Sequence, residues 1–441
     1  MTFVSKNTPG HRQLAIQQEV LPPEKIEVTI VSLPAEVMDH MFDLFEGDHD
    51  QLRTCTLVCQ HWRILSQPRL FRRLVLSSQD RESIFGFHSF ILQSPHIRSA
   101  VQHVEVHFIE AWNSKYAANL VADILEILPR PESLKLYGPS TNRVKWSKLS
   151  QHLHNAIRTI LKRHSMSNLV IDGWVFDISI PELNNIVFNC PSLKTISLLD
   201  VSEGTWIPHD VVLPKPNFSR RILDKLTISN TYNKDPMFIE SLCKPDAPVD
   251  LSQLKTLNIV DSRNDEAVNL LLATIGPSLQ KLELEIGFST VNELNLFPCN
   301  NLRSLSLNFG PYFPEIYNSS IPLICGALDT IPHPNNTLEE LSLVMCVTHP
   351  RNFDLRHFPL PPAERFNYIN WAALGNLLGS HKLGAMTKVS IELLCHGPVL
   401  DVQKFASAAA ARLGPIKPTV TWKAVQLARP KQLRCDRGSQ T

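Results

Sequence analysis

Charge of one sign is what this sequence lacks first: across 441 residues, 43 Lys and Arg stand against 42 Asp and Glu. A net charge near +1 leaves no electrostatic footprint for nucleic acid or for an anionic membrane. Cysteine is scarce as well. The nine are scattered, which is not the spacing of a disulfide scaffold. Their odd number and isolation point to reduced thiols, hence to a cytosolic or nuclear chain. No run of about 18 apolar residues occurs, so no spanning helix is expected. The opening stretch, MTFVSKNTPGHRQLAIQQ, lacks the apolar run of a signal peptide. Without a secretory route, the sequons at Asn217, Asn318 and Asn335 are read as chance.

Catalytic signatures are missing too. There is no GxxxxGK, no GxGxxG, no GxSxG and no HExxH, so nucleotide cradles, hydrolase elbows and zincin helices have no support. Cys55, Cys59 and His61 come nearest to a metal cluster. No second pair completes a zinc site, and buried thiols are the expected reading. The 17 histidines are dispersed, and no nucleophile–base pair can be defended from spacing. No cofactor or metal is therefore expected. An enzyme assembled from distant residues is the one catalytic reading left open.

What is present is a soluble composition, 43% hydrophobic and 19% charged, in a chain too long for one ordinary compact domain. Residues 1–30 are mixed and broken by Pro22-Pro23, which predicts a mobile leader. Residues 31–71 follow as a helical module. Pro34 suits a helix start and Glu36 the positive end of its dipole. On a wheel with Val37 at zero, Leu44, Met41, Phe45, Met38 and Phe42 fall between about −20° and 140°. That arc of about 160° exceeds the roughly 100° one core contact needs, so the surplus wants a second partner. Gly47 and Asp48 end this helix, Asp50 is expected to cap the next, and Pro68 to close the module.

From Phe71 onward the spacing apolar-x-x-apolar-x-apolar recurs. It stands at Phe71-Leu74-Leu76, Val101-Val104-Val106, Met166-Leu169-Ile171, Leu193-Ile196-Leu198 and Leu223-Leu226-Ile228. It returns at Leu254-Leu257-Ile259, Leu279-Leu282-Leu284, Leu302-Leu305-Leu307, Leu338-Leu341-Leu343 and Met386-Val389-Ile391, with a weaker copy from Pro131 through Leu134 and Leu136. Alternation over the last three positions is a half-buried strand signal. Helical patterns lie between, at Ala117–Leu128, Leu149–Arg163, Ile180–Asn189, Asp265–Ile275 and Ala372–Leu378. Many such units in succession favour a solenoid over a general α/β domain. It is expected over 72–414, with Pro-rich insertions near Pro311–Pro334 and Pro350–Pro362. Residues 415–441 turn Pro- and Lys/Arg-rich and are expected to form a basic, disordered tail.

Leu33-Pro34-x-Glu36, Leu57-Val58-Cys59-x-x-Trp62 and Pro68-x-Leu70-Phe71 together resemble the F-box. The array that follows resembles the leucine-rich repeats of F-box/leucine-rich-repeat proteins. The expected fold class is thus α+β or α/β: a three-helix F-box, then an irregular leucine-rich-repeat-like solenoid of alternating strands and helices. One departure stands out. The family's buried Asn or Cys, three places after the last apolar strand residue, is present only as Cys346, so the turn backbones need other partners.

The resemblance implies a job: non-catalytic substrate receptor of an SCF-type cullin–RING ubiquitin ligase. The F-box would bind the Skp-family adaptor, and through it a cullin, by way of Leu33, Pro34, Leu57, Val58, Cys59 and Trp62. Helix-bundle core is the competing role for each of the six, while the place of Leu33-Pro34 at a helix start favours the interface. In a solenoid the residues between the buried ones face the concave side, where a protein substrate would bind. These are Thr195, Ser197, Lys225, Thr227, Thr256, Asn258, Lys281, Glu283, Glu285, Ser304 and Ser306, with Glu340 and Ser342 beyond; a plain solvated sheet face is the competing reading of the set. The runner-up is a repeat scaffold whose F-box-like helices only cap the array.

Overall fold

The structure, a computed structural model, describes residues 34–426 apart from 78–80, 109–114, 140–143, 177–189, 204–220, 230–236, 245–248, 263–264, 287–293, 310–315, 334–335, 349–369, 397–406, 408–409, 415 and 417. The leader, Leu33, the expected helix Ile180–Asn189, the insertion Pro350–Pro362, Asn217, Asn335 and residues 427–441 lie outside the described residues. The chain divides into two units, Met1–Ser66 and Gln67–Thr441.

The first unit is built from α1 (Ala35–Leu44), α2 (His49–Val58) and the start of α3 (Gln60–Leu70). Pro34 stands just before α1 with ψ 144°, and its carbonyl accepts from the N–H groups of Val37 and Met38. Gly47, at φ 96°, supplies the left-handed turn that separates α1 from α2. The cap of α2 is Asp48, not Asp50, because the Asp48 carboxylate accepts from Gln51 N at 2.9 Å. Pro68 lies inside α3 and does not end it. In the last turn of a helix its ring displaces only one backbone bond.

The second unit is an open parallel sheet of twelve strands, hydrogen-bonded in chain order. These are β1 (Arg73–Ser77), β2 (His103–His107), β3 (Ser133–Tyr137), β4 (Asn168–Asp172), β5 (Thr195–Leu199) and β6 (Lys225–Ser229). Then follow β7 (Thr256–Ser262), β8 (Lys281–Ile286), β9 (Ser304–Phe309), β10 (Glu340–Thr348), β11 (Lys388–His396) and β12 (Thr419–Gln426). Each expected apolar repeat lands on one of them. β12 falls within 415–441, the stretch expected to be a tail, because Thr419-Val420-Thr421-Trp422 alternates as a strand does. β1 and β12 are the edges and do not pair, so the sheet is not a closed barrel.

Strand pairing holds every repeat in step. Leu74, Val104, Leu134, Leu169, Ile196, Leu226, Leu257, Leu282, Leu305, Leu341 and Val389 stand opposite one another along the sheet and are buried. Helices cover that face: α4 (Arg81–Gln93), α6 (Lys115–Ile127), α7 (Gln151–Leu161), α8 (Met237–Cys243), α9 (Asp265–Ile275), α10 (Ile316–Asp329) and α11 (Trp371–Leu378). The short α5 (Pro95–Ala100) follows α4. α10 occupies part of the stretch read as a Pro-rich insertion.

Where the expected Asn positions hold other residues, the repeats are tied by backbone groups and, at Trp174, by a side chain. At the strand starts one carbonyl accepts two successive N–H groups from the next repeat: Arg72 O from Gln102 and His103, Glu132 O from Ser167 and Asn168, Lys255 O from Gln280 and Lys281. At the far ends Phe108 N donates to Tyr137 O and Gly173 N to Leu199 O, while Trp174 Nε1 donates to Leu136 O at 3.1 Å. Cys346 itself lies within β10, opposite Leu394 of β11.

Candidate functional site

Two surfaces carry the residues singled out from the sequence. The first is on the helices of residues 34–66. Met38, Phe42, Leu52 and Cys55 are buried and form a small core, with Trp62 edge-on to Phe42 at 5.4 Å between ring centroids. Trp62 is half-buried, and Ser66 Oγ donates to its backbone carbonyl at 2.6 Å. The wide arc of α1 splits as its width demands. Met38 and Phe42, at about 100° and 140°, go inward. Val37 and Leu44, at about 0° and −20°, stay in solvent, Leu44 at 74% exposure.

On the other two helices Leu57 is 80% exposed, Val58 55% and Ile64 60%. Pro34 and Cys59 are exposed as well. Cys59 lies outside α2, and its Sγ accepts from Trp62 N at 3.5 Å, which places it as a weak cap of α3. Leaving this much aliphatic surface wet in a small module costs on the order of 1.5–3 kcal/mol for each side chain that could be buried. Val37, Leu44 and Ile64 were not among the residues picked from the motif. The helical wheel was the signal that could have found the first two.

The second surface is the sheet face opposite the helices. The first, third and fifth residues of each strand point there, and the register sets them in three rows. Thr195, Lys225, Thr256, Lys281, Ser304 and Glu340 share the first row; Ser197, Thr227, Asn258, Glu283, Ser306 and Ser342 share the second. Glu285 stands in the third, opposite Asn308. All the expected substrate-side residues are thus brought onto one face.

The same rows continue to β1, where they carry groups the sequence reading passed over. Glu105 is 3% exposed, with Arg73 Nη2 at 2.7 Å from one carboxylate oxygen and Lys135 Nζ at 2.7 Å from the other. Burial pushes its carboxyl up, but hydrogen bonds and charge from Arg73 and Lys135 outweigh that and hold it below the usual carboxylate range. His107 and Tyr137 stack beside it, centroids 4.7 Å apart and 19° from parallel. Burial, helped by the Asp200 charge, raises the Asp172 carboxyl. The spacing Val101-Val104-Val106 already held the signal for Glu105.

Burial raises the thiols of Cys55, Cys243 and Cys325 and pushes that of Cys299 up to about 12, so these four are poor nucleophiles. Among the described residues no group of three His, Cys, Asp or Glu side chains is placed to hold a metal ion. No helix among them is long and apolar enough to cross a membrane. No protein-family model matches the chain, and no curated protein matches it either.

Proposed function

We propose that this chain is a non-catalytic substrate receptor of the F-box/leucine-rich-repeat kind. Its helical module would dock on a Skp-family adaptor of a cullin–RING ubiquitin ligase, and its repeat array, a leucine-rich-repeat-like solenoid, would hold a target protein. One observation carries the reading: Leu57 and Val58, picked from the motif as adaptor contacts, lie exposed on a module whose own core is already filled by Met38, Phe42, Leu52 and Cys55. The runner-up, in which these helices only close the array, makes no use of that wet aliphatic surface.

The role is positional. A receptor raises the effective concentration of target lysines near a ubiquitin thioester, and no residue of its own touches the chemistry. The test is capture of the recombinant adaptor by wild-type chain and by Leu57→Asp. A charge at an interface centre costs several kcal/mol, so the variant should lose capture by about a hundredfold or more. Leu57 is exposed, so the variant keeps its fold, checked by circular dichroism. Failure of the wild type to capture the adaptor would sink the proposal.

A further inference from the structure

The open sheet face handles its charges in a way that singles out one residue. Arg73 and Lys135 share Glu105, Lys281 pairs with Glu283 at 2.7 Å, Lys388 with Glu340 at 3.4 Å, and Lys423 with Glu392 at 3.2 Å. Lys225 is exposed and has no ion-pair partner among the described residues. Its neighbours in the register are Thr195 and Thr256, and next to them lie Ser197, Thr227 and Asn258. This cation is ringed by hydroxyl and amide groups, and Thr227 at the centre is only 7% exposed.

From β5 to β9 the first and second rows hold no apolar side chain. In those two rows a partner that docks through a hydrophobic patch finds nothing to bury; the apolar Leu199 and Val260 stand in the third. A polypeptide in extended form does: small Ser, Thr and Asn side chains let its backbone come close and offer donors and acceptors along its length. Four strand spacings of about 4.8 Å make about 19 Å, which about six extended residues cover. Charge complementarity then sets the sign of the anchor, a carboxylate against Lys225. Residues 427–441 of this chain fit poorly on the same ground, since Arg429, Lys431, Arg434 and Arg437 outnumber the single acid, Asp436.

We infer that the face between β5 and β9 binds an extended segment of a target protein, with an Asp or Glu of that segment paired to Lys225. The inference rests on the target-binding half of the function proposed above. It is tested with the full-length chain panned against a random decapeptide library. Selected decapeptides are resynthesised with the acid at the enriched position, with its amide, and with phosphoserine there, and measured by fluorescence anisotropy. An acid should be enriched, and its amide should bind about fivefold more weakly. Lys225→Glu should weaken the acidic peptide by about tenfold, while Lys225→Arg keeps it. Leu57→Asp should leave peptide binding unchanged.

Four results would each overturn the inference: no decapeptide selected, binders without an acid, Lys225→Glu without effect, or binding of the phosphorylated form alone. Adaptor capture is read on the same preparations. Capture without peptide binding removes only this inference; peptide binding without capture supports it and removes the ligase reading.

Discussion

A carboxylate on the open face of a sheet usually stays hydrated, yet Glu105 is almost wholly enclosed by its own ion partners. Three charges then behave as one net cation. Because the folded carboxyl sits below its unfolded value, its contribution is full above about pH 4.3 and fades as pH falls through the folded value. Glu105→Gln should therefore cost about 1–2 kcal/mol near neutrality, discounted from a buried pair because Arg73 is 56% exposed. At about pH 3 the two proteins should melt much closer together. Thermal unfolding at both pH values checks this; an equal gap at both would mean that shape, not charge, is lost. The residue was legible from its place in a repeat, but its burial was not. Enclosure depends on Arg73 and Lys135, which lie 32 residues before it and 30 after it in the chain.

At the scale of elements, the strands were the most readable part, because buried leucines two apart leave a signal no helix imitates. Helices were harder. α9 was legible to its ends at Asp265 and Ile275, whereas α10 was hidden by Pro322 in its interior and read as an insertion. Of the candidate site, Leu57 and Val58 were legible from a motif, and the outward edge of α1 from the width of its apolar arc. Which of them face water was decided by Met38 and Phe42 filling the module first. Gly375, inside α11, shows where propensity misleads. Replacing a helical Gly by Ala gains about 1 kcal/mol in isolation. Here an added Cβ would run into the backbone carbonyl of Leu413, which no rotamer change can clear. Gly375→Ala should instead destabilise by about 1–3 kcal/mol, read as a lower urea midpoint at unchanged slope. A raised midpoint would show that Leu413 yields freely.

At the scale of the whole second unit, strands paired in chain order mean that each repeat leans chiefly on the one before and the one after. Damage should therefore stay local. Leu257→Ala, at a fully buried position of β7, should cost about 2–5 kcal/mol. Amide exchange should quicken in β6, β7 and β8 while β1 and β12 keep their rates, as peptide-resolved mass spectrometry can show. Uniform quickening would mean that the twelve strands open as one. The paired N–H donation at the strand starts adds something of a different kind. Because each strand start is joined to the last by backbone groups, that part of the joint does not depend on which side chains flank it. A lineage could thus duplicate or delete one whole repeat in frame and the ladder would close again, one rung longer or shorter. The length of the array is then free to drift across generations while its step is held constant.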